Sequence, residues 1–243
     1  MKSLIVGASA GLGRALAERL AGLGHELFLV SSDAADLEPL AADLKLRHGN
    51  PVHVRALDLA EADPEPLRTA VLGEMGGIDN LFYVAGVSID DDSGPIPDDT
   101  ALRLMSVNFV SGVRVVNAFL GDLAENPNAN IVGMGSVAAA RGRRNNSIYG
   151  AAKRGLEFYF ETLRHYLAAK PCAVQFYRLG YLETRMTFGQ KLPFPVMHPD
   201  AAAARICANL GRDLGAVYLP WWWFGIMTII KLLPWTIFRK LEI

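Results

Sequence analysis

The sequence predicts an α/β domain built on a doubly wound parallel sheet of seven strands, followed by an apolar C-terminal extension. Short apolar runs alternate with amphipathic helical stretches along almost the whole chain. Continuous apolar strands separated by helices are typical of a parallel sheet that helices cover on both faces. Right-handed crossovers between successive strands then give the doubly wound arrangement. With 243 residues, 51% of them hydrophobic, the chain can bury the core of one domain.

The order of the elements follows from the apolar runs. The predicted strands cover residues 4–6, 26–30, 52–56, 78–84, 130–134, 173–177 and 216–219. The predicted helices cover residues 12–23, 37–46, 66–72, 98–123, 147–168 and 200–210. Neither a repeat nor a low-complexity linker interrupts this alternation. We therefore expect residues 1–220 to form one domain, with residues 221–243 as an apolar, amphipathic tail of the same domain.

Composition excludes several classes of protein. The net charge of −1 gives no indication of nucleic-acid binding. Cys172 and Cys207 are far apart, and the five histidines form no pair at metal-ligand spacing, so we expect buried thiols and no metal site. The apolar run after Met1 is too short for the core of a targeting peptide. A reducing, cytoplasmic compartment is the expectation.

A glycine-rich turn connects the first strand to the first helix. Gly7, Gly11 and Gly13 let the backbone turn tightly and approach a pyrophosphate, which the N–H groups and dipole of the helix N-terminus would attract. Glycines at a β–α turn are also common for purely structural reasons, but their position at the first such junction favours a dinucleotide site. The expected contacts in this turn are Gly7, Ser9, Ala10, Gly11, Leu12 and Gly13.

Three further strand ends offer cofactor contacts. After the second strand, Ser31 and Ser32 stand where a carboxylate would select NAD, so the sequence favours NADP(H) slightly over NAD(H). Asp33 could instead turn towards a ribose, and the serine pair could cap the following helix. Asp58 and Leu59 are placed to contact an adenine, although Asp58 could equally serve a turn. After the fourth strand, Ala85 and Gly86 are small enough for a cofactor to lie across them, and Gly86 could also be only a turn residue.

Four residues form the strongest constellation. The spacing of Tyr149 and Lys153 places both on one helix face, where an ammonium can stabilise a phenolate. Tyr149 would then give a proton to a carbonyl substrate, and Lys153 would also hold the nicotinamide ribose. Ser136 would donate a hydrogen bond to the substrate oxygen. Asn108 would position a water that relays protons to Lys153.

Taken in order, these residues resemble those of the short-chain dehydrogenase/reductase family, over about residues 3–219. The resemblance implies a Rossmann-like fold and an NAD(P)(H)-dependent oxidoreductase. It assigns Gly180 and Thr184 to the segment that seats the nicotinamide carboxamide. The sequence departs from the family pattern at Val6, at Leu179, and at Tyr83-Val84, which replaces two asparagines and puts a sheet-bracing hydrogen bond in question.

A shorter stretch, residues 141–149, and the tail resemble a narrower group, the bacterial reductases of polyprenylphosphoryl keto-pentoses. Physically, Arg141, Arg143 and Arg144 could neutralise a phosphate, or they could form a solvated basic loop. The acidic run Asp90-Asp91-Asp92 is interpreted as a solvated loop without a role.

The remaining segments bear on the substrate and on partners. Residues 185–198 are expected to form a flap that favours a hydrophobic carbonyl substrate. The tail combines clustered tryptophans, a lysine and terminal basic residues, which suits a membrane interface, at the inner face in a cytoplasmic protein. We also expect the protein to form a homo-oligomer. The tail would be explained equally well if it were buried against a partner subunit or over the domain's own core. A non-catalytic nucleotide sensor and a dehydrogenase that oxidises a sterol-like alcohol are the competing functions.

Overall fold

The computed structural model describes residues 1–89, 91–190 and 192–241. Its centre is a seven-stranded parallel sheet in the order β3-β2-β1-β4-β5-β6-β7. The strands are β1 (Lys2–Val6), β2 (Glu26–Ser31), β3 (Val52–Ala56), β4 (Asn80–Tyr83), β5 (Asn130–Ser136), β6 (Ala173–Leu179) and β7 (Gly215–Leu219). This confirms the predicted fold class. The only differences from the predicted strands lie at their ends.

Helices occupy the connections between the strands. Their bounds are α1 (Gly11–Gly22), α2 (Ala34–His48), α3 (Glu65–Met75), α4 (Asp98–Met105), α5 (Ser111–Leu123), α6 (Ser147–Tyr166), α7 (Pro199–Ala208), α8 (Trp223–Leu232) and α9 (Trp235–Phe238). A π-helical turn (Ser106–Val110) joins α4 to α5, and a 3₁₀ turn (Val137–Ala140) follows β5.

The sheet separates two apolar layers. Because successive strand residues point to opposite faces, Leu4 and Val6 pack on one side and Ile5 on the other. The first layer includes side chains of α3, α5 and α6, and the second includes side chains of α1, α2 and α7. Both faces of the sheet are thus covered, as the continuous apolar strands predict.

The stretch Asp98–Leu123 is long and apolar enough, by length and composition alone, to cross a membrane. In this fold it packs on the sheet, because Val116, Phe119 and Leu123 are buried in the first apolar layer. Tyr83 also ties the sheet to this stretch. Its hydroxyl donates to the Val107 carbonyl (2.6 Å) and lies 2.6 Å from the Ser111 hydroxyl. Tyr83, which departs from the family pattern, therefore makes hydrogen bonds of its own between the sheet and the π-helical turn.

Candidate active site

A cleft of about 800 Å³ lies along the carboxyl ends of the strands, within the size range of small-molecule sites. Most residues that the sequence singles out line it. These are Gly7, Ser9, Ala10, Gly11, Leu12, Gly13, Ser31, Ser32, Asp58, Leu59, Ala85, Gly86, Ser136, Tyr149, Lys153, Gly180 and Thr184. The fold thus brings the predicted cofactor contacts and the predicted proton donor to one crevice.

The glycine turn is closed to any larger residue. Gly7 has a φ of +95°, and a Cβ on it would lie 2.6 Å from the Ala85 nitrogen. A Cβ on Gly13 would lie 1.9 Å from the Gly7 carbonyl oxygen. Helix α1 starts at Gly11, and within the described residues no side chain caps its free N–H groups. Backbone donors at the cleft, with room for close approach, fit the pyrophosphate of a dinucleotide.

The region after β2 is tied together by short polar contacts. The Ser31 and Ser9 hydroxyl oxygens lie 2.8 Å apart. The Asp33 carboxylate accepts from the Asp36 N–H (3.1 Å), so Asp33, and not the serine pair, caps α2. Ser32 is exposed at the cleft. The Ser32 side chain is therefore accessible to a ligand at this edge of the cleft.

Asp58 forms the turn after β3. Its carboxylate accepts from the Ala60 N–H (3.0 Å) and from Arg103 (3.1 Å). The hydrogen bond from the Ala60 N–H is the main cause that holds the pKa of Asp58 below its ordinary value. Burial acts in the opposite direction, and Arg103 lowers the pKa further. Asp58 thus has the turn role that the sequence left open, and it lines the cleft as well. Its contact with an adenine stays a prediction.

Lys153 and Tyr149 lie close together on α6. Lys153 is only 3% exposed, and its Nζ donates to the Ala85 carbonyl (3.2 Å) and the Met134 carbonyl (3.3 Å). Its Nζ is 5.9 Å from the centroid of the Tyr149 ring. Burial lowers the pKa of Lys153 to about 8. Burial raises the pKa of the Tyr149 phenol, and the Ser136 hydroxyl opposes this shift.

Asn108 is the one predicted catalytic residue outside the lining of the cleft. Its Nδ2 donates to the Val87 carbonyl (2.8 Å) and the Leu104 carbonyl (2.9 Å), and its Oδ1 accepts from the Val87 N–H (3.2 Å). In an α-helix the Leu104 carbonyl would accept from the Asn108 N–H. Because the Asn108 side chain occupies this carbonyl instead, the backbone forms a π-helical turn here. Asn108 therefore has a structural role after β4. Its relay through a water stays a prediction.

The family follows from comparison with known proteins. The family described as short chain dehydrogenase matches residues 2–191. The chain belongs to the short-chain dehydrogenase/reductase family. It is 27% identical to an uncharacterized oxidoreductase of Myxococcus xanthus over 234 residues, which cover 96% of this chain and 92% of that protein. An oxidoreductase of Mycobacterium tuberculosis is 27% identical over 243 residues, covering 98% of this chain and 96% of the relative.

Solved structures agree with this fold. A short-chain dehydrogenase from Sphingobium yanoikuyae, in complex with NADPH, superposes with a TM-score of 0.81 at 26% identity, over 99% of this chain and 96% of that chain. An alcohol dehydrogenase from Thermococcus sibiricus shares the fold with a TM-score of 0.81 at 23% identity, over 89% and 94% of the two chains. The protein is therefore an NAD(P)-dependent oxidoreductase. The narrower resemblance to keto-pentose reductases stays a prediction.

In this short-chain dehydrogenase/reductase, Asp92 corrects an expectation. The sequence suggests a solvated acidic loop, but Asp92 is only 3% exposed. Its carboxylate accepts from the Ser147 hydroxyl (2.9 Å), the Ile148 N–H (3.0 Å) and the Tyr149 N–H (2.8 Å). It thus caps the helix that carries Tyr149, and its negative charge interacts favourably with the positive end of the helix dipole. The capping residue comes from the loop after β4, so no local sequence signal identifies it. Asp90 lies outside the described residues.

The three arginines before Tyr149 do not act together. Arg141 donates to the Ile230 carbonyl (2.6 Å) and the Leu233 carbonyl (2.7 Å), so its side chain is engaged with the tail. Arg144 is exposed. Arg143 lines the cleft, and its Nε is buried without a hydrogen-bond partner among the described residues. Of the three, Arg143 alone lines the cleft, while the exposed Arg144 fits the solvated loop that the sequence also allows.

Replacing Asp92 by alanine should destabilise the enzyme and slow turnover more than it weakens cofactor binding. It removes three hydrogen bonds to a charged acceptor and leaves two N–H groups of α6 unsatisfied, a loss of about 1–3 kcal/mol in the free energy of unfolding. Denaturant unfolding and steady-state kinetics measure both effects. Ser147→Ala, which removes one of the bonds, should lose less, and Asp91→Ala, at the exposed neighbour, should resemble the wild type. Equal stability of Asp92→Ala and Asp91→Ala would contradict the capping role.

Proposed function

We propose that this enzyme reduces a carbonyl group on a hydrophobic substrate, with Tyr149 as the proton donor. The observation that carries the proposal is the meeting of a phenol, the Ser136 hydroxyl and a buried ammonium in the cleft that the glycine turn opens. Among the described residues the buried Lys153 ammonium has main-chain carbonyls as partners and no carboxylate, a costly feature for a protein that only binds a nucleotide. This weighs against the non-catalytic sensor.

The chain's own residues supply the proton and the charge. The bound nicotinamide cofactor would supply the hydride. Ser136 would donate a hydrogen bond to the carbonyl oxygen, where negative charge develops. Tyr149 would pass its proton to that oxygen, and the Lys153 ammonium would stabilise the phenolate that is left. The product alcohol thus receives one hydride and one proton. The same groups would serve the oxidation of an alcohol, so the direction depends on the cofactor pool.

A hydrophobic substrate is supported by what surrounds Tyr149. Val137, Tyr181 and Met186 line the same cleft. Phe188, on the expected flap, is 89% exposed and directly follows Thr187, which lines the cleft. Arg143, with its buried Nε unpaired within the described residues, suits an anionic group on that substrate, as a lipid-linked phosphate would carry. We therefore favour a carbonyl substrate that is largely apolar and carries a negative charge.

Exposed apolar side chains outside the tail support the sequence-based expectation of a homo-oligomer. Leu102 on α4, together with Phe158 and Tyr166 on α6, is largely exposed. Burying such surface in a contact with a second copy of the chain would be favourable.

Tyr149→Phe should lower turnover by roughly 10²–10⁴-fold, the usual range for a lost general acid. Cofactor binding should change little, because the glycine turn and Lys153 are retained. Steady-state reduction of a carbonyl panel and fluorescence titration with the cofactor measure the two effects. Tyr159→Phe is the matched control, since that hydroxyl lies on the same helix and bonds to Asn117. Full activity in Tyr149→Phe would overturn the mechanism.

The pH dependence should reveal Lys153. Its pKa of about 8 means that the ammonium loses its charge as the pH rises through that value. The phenol, whose pKa is raised, keeps its proton over the same interval. We expect kcat/KM for the cofactor, which reports groups of the free enzyme, to fall about tenfold per pH unit above that pKa. Lys153→Ala should lower both cofactor affinity and turnover. A flat profile between pH 7 and pH 9.5 would exclude this assignment.

NADPH should bind more tightly than NADH, by a modest factor. After β2 the exposed residue at the cleft is Ser32, and the Asp33 carboxylate is engaged with α2. The NADPH complex of the Sphingobium relative supports the same choice. Fluorescence titration measures both constants, and Ser32→Asp should reverse the preference by repelling the extra phosphate. Tighter binding of NADH by the wild type, lost in Asp33→Asn, would show instead that Asp33 turns to the ribose.

A further inference from the structure

The tail turns one apolar face inward and another to solvent. Trp223 (1% exposed), Met227 and Phe238 are buried, and Trp223 stacks on Trp222 with ring centroids 4.9 Å apart. Trp223 and Met227 form a small apolar cluster with Val137, so the inward face is buried against the domain, as one of the sequence-based alternatives holds. The outward face, called here the tail surface, is largely exposed, with Leu232 at 77% and Trp221 at 74%. It consists of Trp221, Phe224, Ile229, Leu232, Trp235, Ile237 and Leu241.

The tail surface is held in place by Arg141. Its guanidinium donates to the Ile230 and Leu233 carbonyls, which end α8, and lies 3.8 Å from the centroid of the Phe238 ring. These contacts satisfy carbonyls that the helix end leaves free and fix α9 against α8. With α8 and α9 anchored in this way, the outward side chains cannot turn into the core without breaking these contacts. They need a partner outside the domain to leave water.

Charge distinguishes between the partners. Lys231, Arg239 and Lys240 are exposed within or beside the tail surface. Between Trp221 and Leu241 the sequence contains no acidic residue, and Glu242 is the one acidic residue of the tail against three basic residues. Two copies of the chain packed through this surface would therefore bring together more positive charge than the tail itself can compensate. An anionic bilayer offers the opposite charge, and tryptophans favour the boundary between headgroups and acyl chains.

We propose that the tail surface docks the protein on an anionic lipid bilayer. The docking surface adjoins the cleft. Trp223 packs so closely under Gly180 that a Cβ there would lie 1.9 Å from its Nε1, and Tyr181 packs edge-on against it (5.4 Å). Gly180 and Tyr181 line the cleft. Phe194, on the expected flap, packs against Trp223 at 4.9 Å. If the proposed function holds, docking also brings the cleft close to an apolar substrate dissolved in the bilayer.

Vesicle co-sedimentation of the full chain tests the proposal. Vesicles of phosphatidylcholine with phosphatidylglycerol are compared with phosphatidylcholine alone. The wild type should pellet with the anionic vesicles and less so at high salt. Lys231→Glu/Lys240→Glu and Leu232→Ser/Trp235→Ser should each weaken binding at least about tenfold. Leu23→Ser/Leu46→Ser, which removes two exposed leucines outside the tail, should bind like the wild type. Reduction of a water-soluble carbonyl, measured on the same samples, tests the proposed function separately.

Three results would overturn the proposal. The wild type could stay in the supernatant with anionic vesicles. Binding could be the same in the tail variants and in the leucine control, which would place the contact elsewhere. Leu232→Ser/Trp235→Ser could change the oligomeric state in size-exclusion chromatography while the wild type binds no vesicles, and the tail surface would then be a subunit interface. Circular dichroism of every variant verifies that a loss of binding is not a loss of folding.

Discussion

The cleft depends on one reversal in the order of the strands. β1 pairs with β2 on one side and with β4 on the other, so the connections after β1 and β4 leave the sheet in different directions. The crevice between them is where the glycine turn meets Ala85 and Gly86. The contact is so tight that Gly7 has no room for a Cβ beside the Ala85 nitrogen. The cofactor site thus follows from topology, and its glycines follow from the closeness of two backbones.

Within this crevice the enzyme buries the positively charged Lys153 side chain, which costs free energy of desolvation. An ammonium buried like that of Lys153 would be more stable with a carboxylate partner, but an ion pair would neutralise the charge that the proposed phenolate needs. Two main-chain carbonyls at the ends of β4 and β5 provide partial compensation and leave the charge intact. Asp92 completes the arrangement at the N-terminal end of the same helix. Its carboxylate satisfies the Ile148 and Tyr149 N–H groups at the start of α6, and Tyr149 lines the cleft.

The basic loop before Tyr149 connects the cleft to the outer surface. Arg141 fixes the tail, while Arg143, two residues later, lines the cleft. The same short segment therefore holds both the α8–α9 tail and one wall of the site. A disturbance of the tail is expected to reach the cleft through this segment and through the packing of Trp223 under Gly180.

The sequence by itself determined the fold class, the glycine turn and the pairing of Tyr149 with Lys153. Each depends on local periodicity or on a spacing of a few residues, which the chain carries wherever it folds. Tertiary structure decided what Asp92, Asn108, Arg141 and Tyr83 do. Asp92 looks solvated among its neighbours, yet it caps a helix that starts more than fifty residues later, with a separation of 57 to Tyr149. Arg141 looks like a phosphate ligand, yet it binds carbonyls 89 and 92 residues away. Such roles depend on where the chain returns in space, and no local pattern of residues specifies that return.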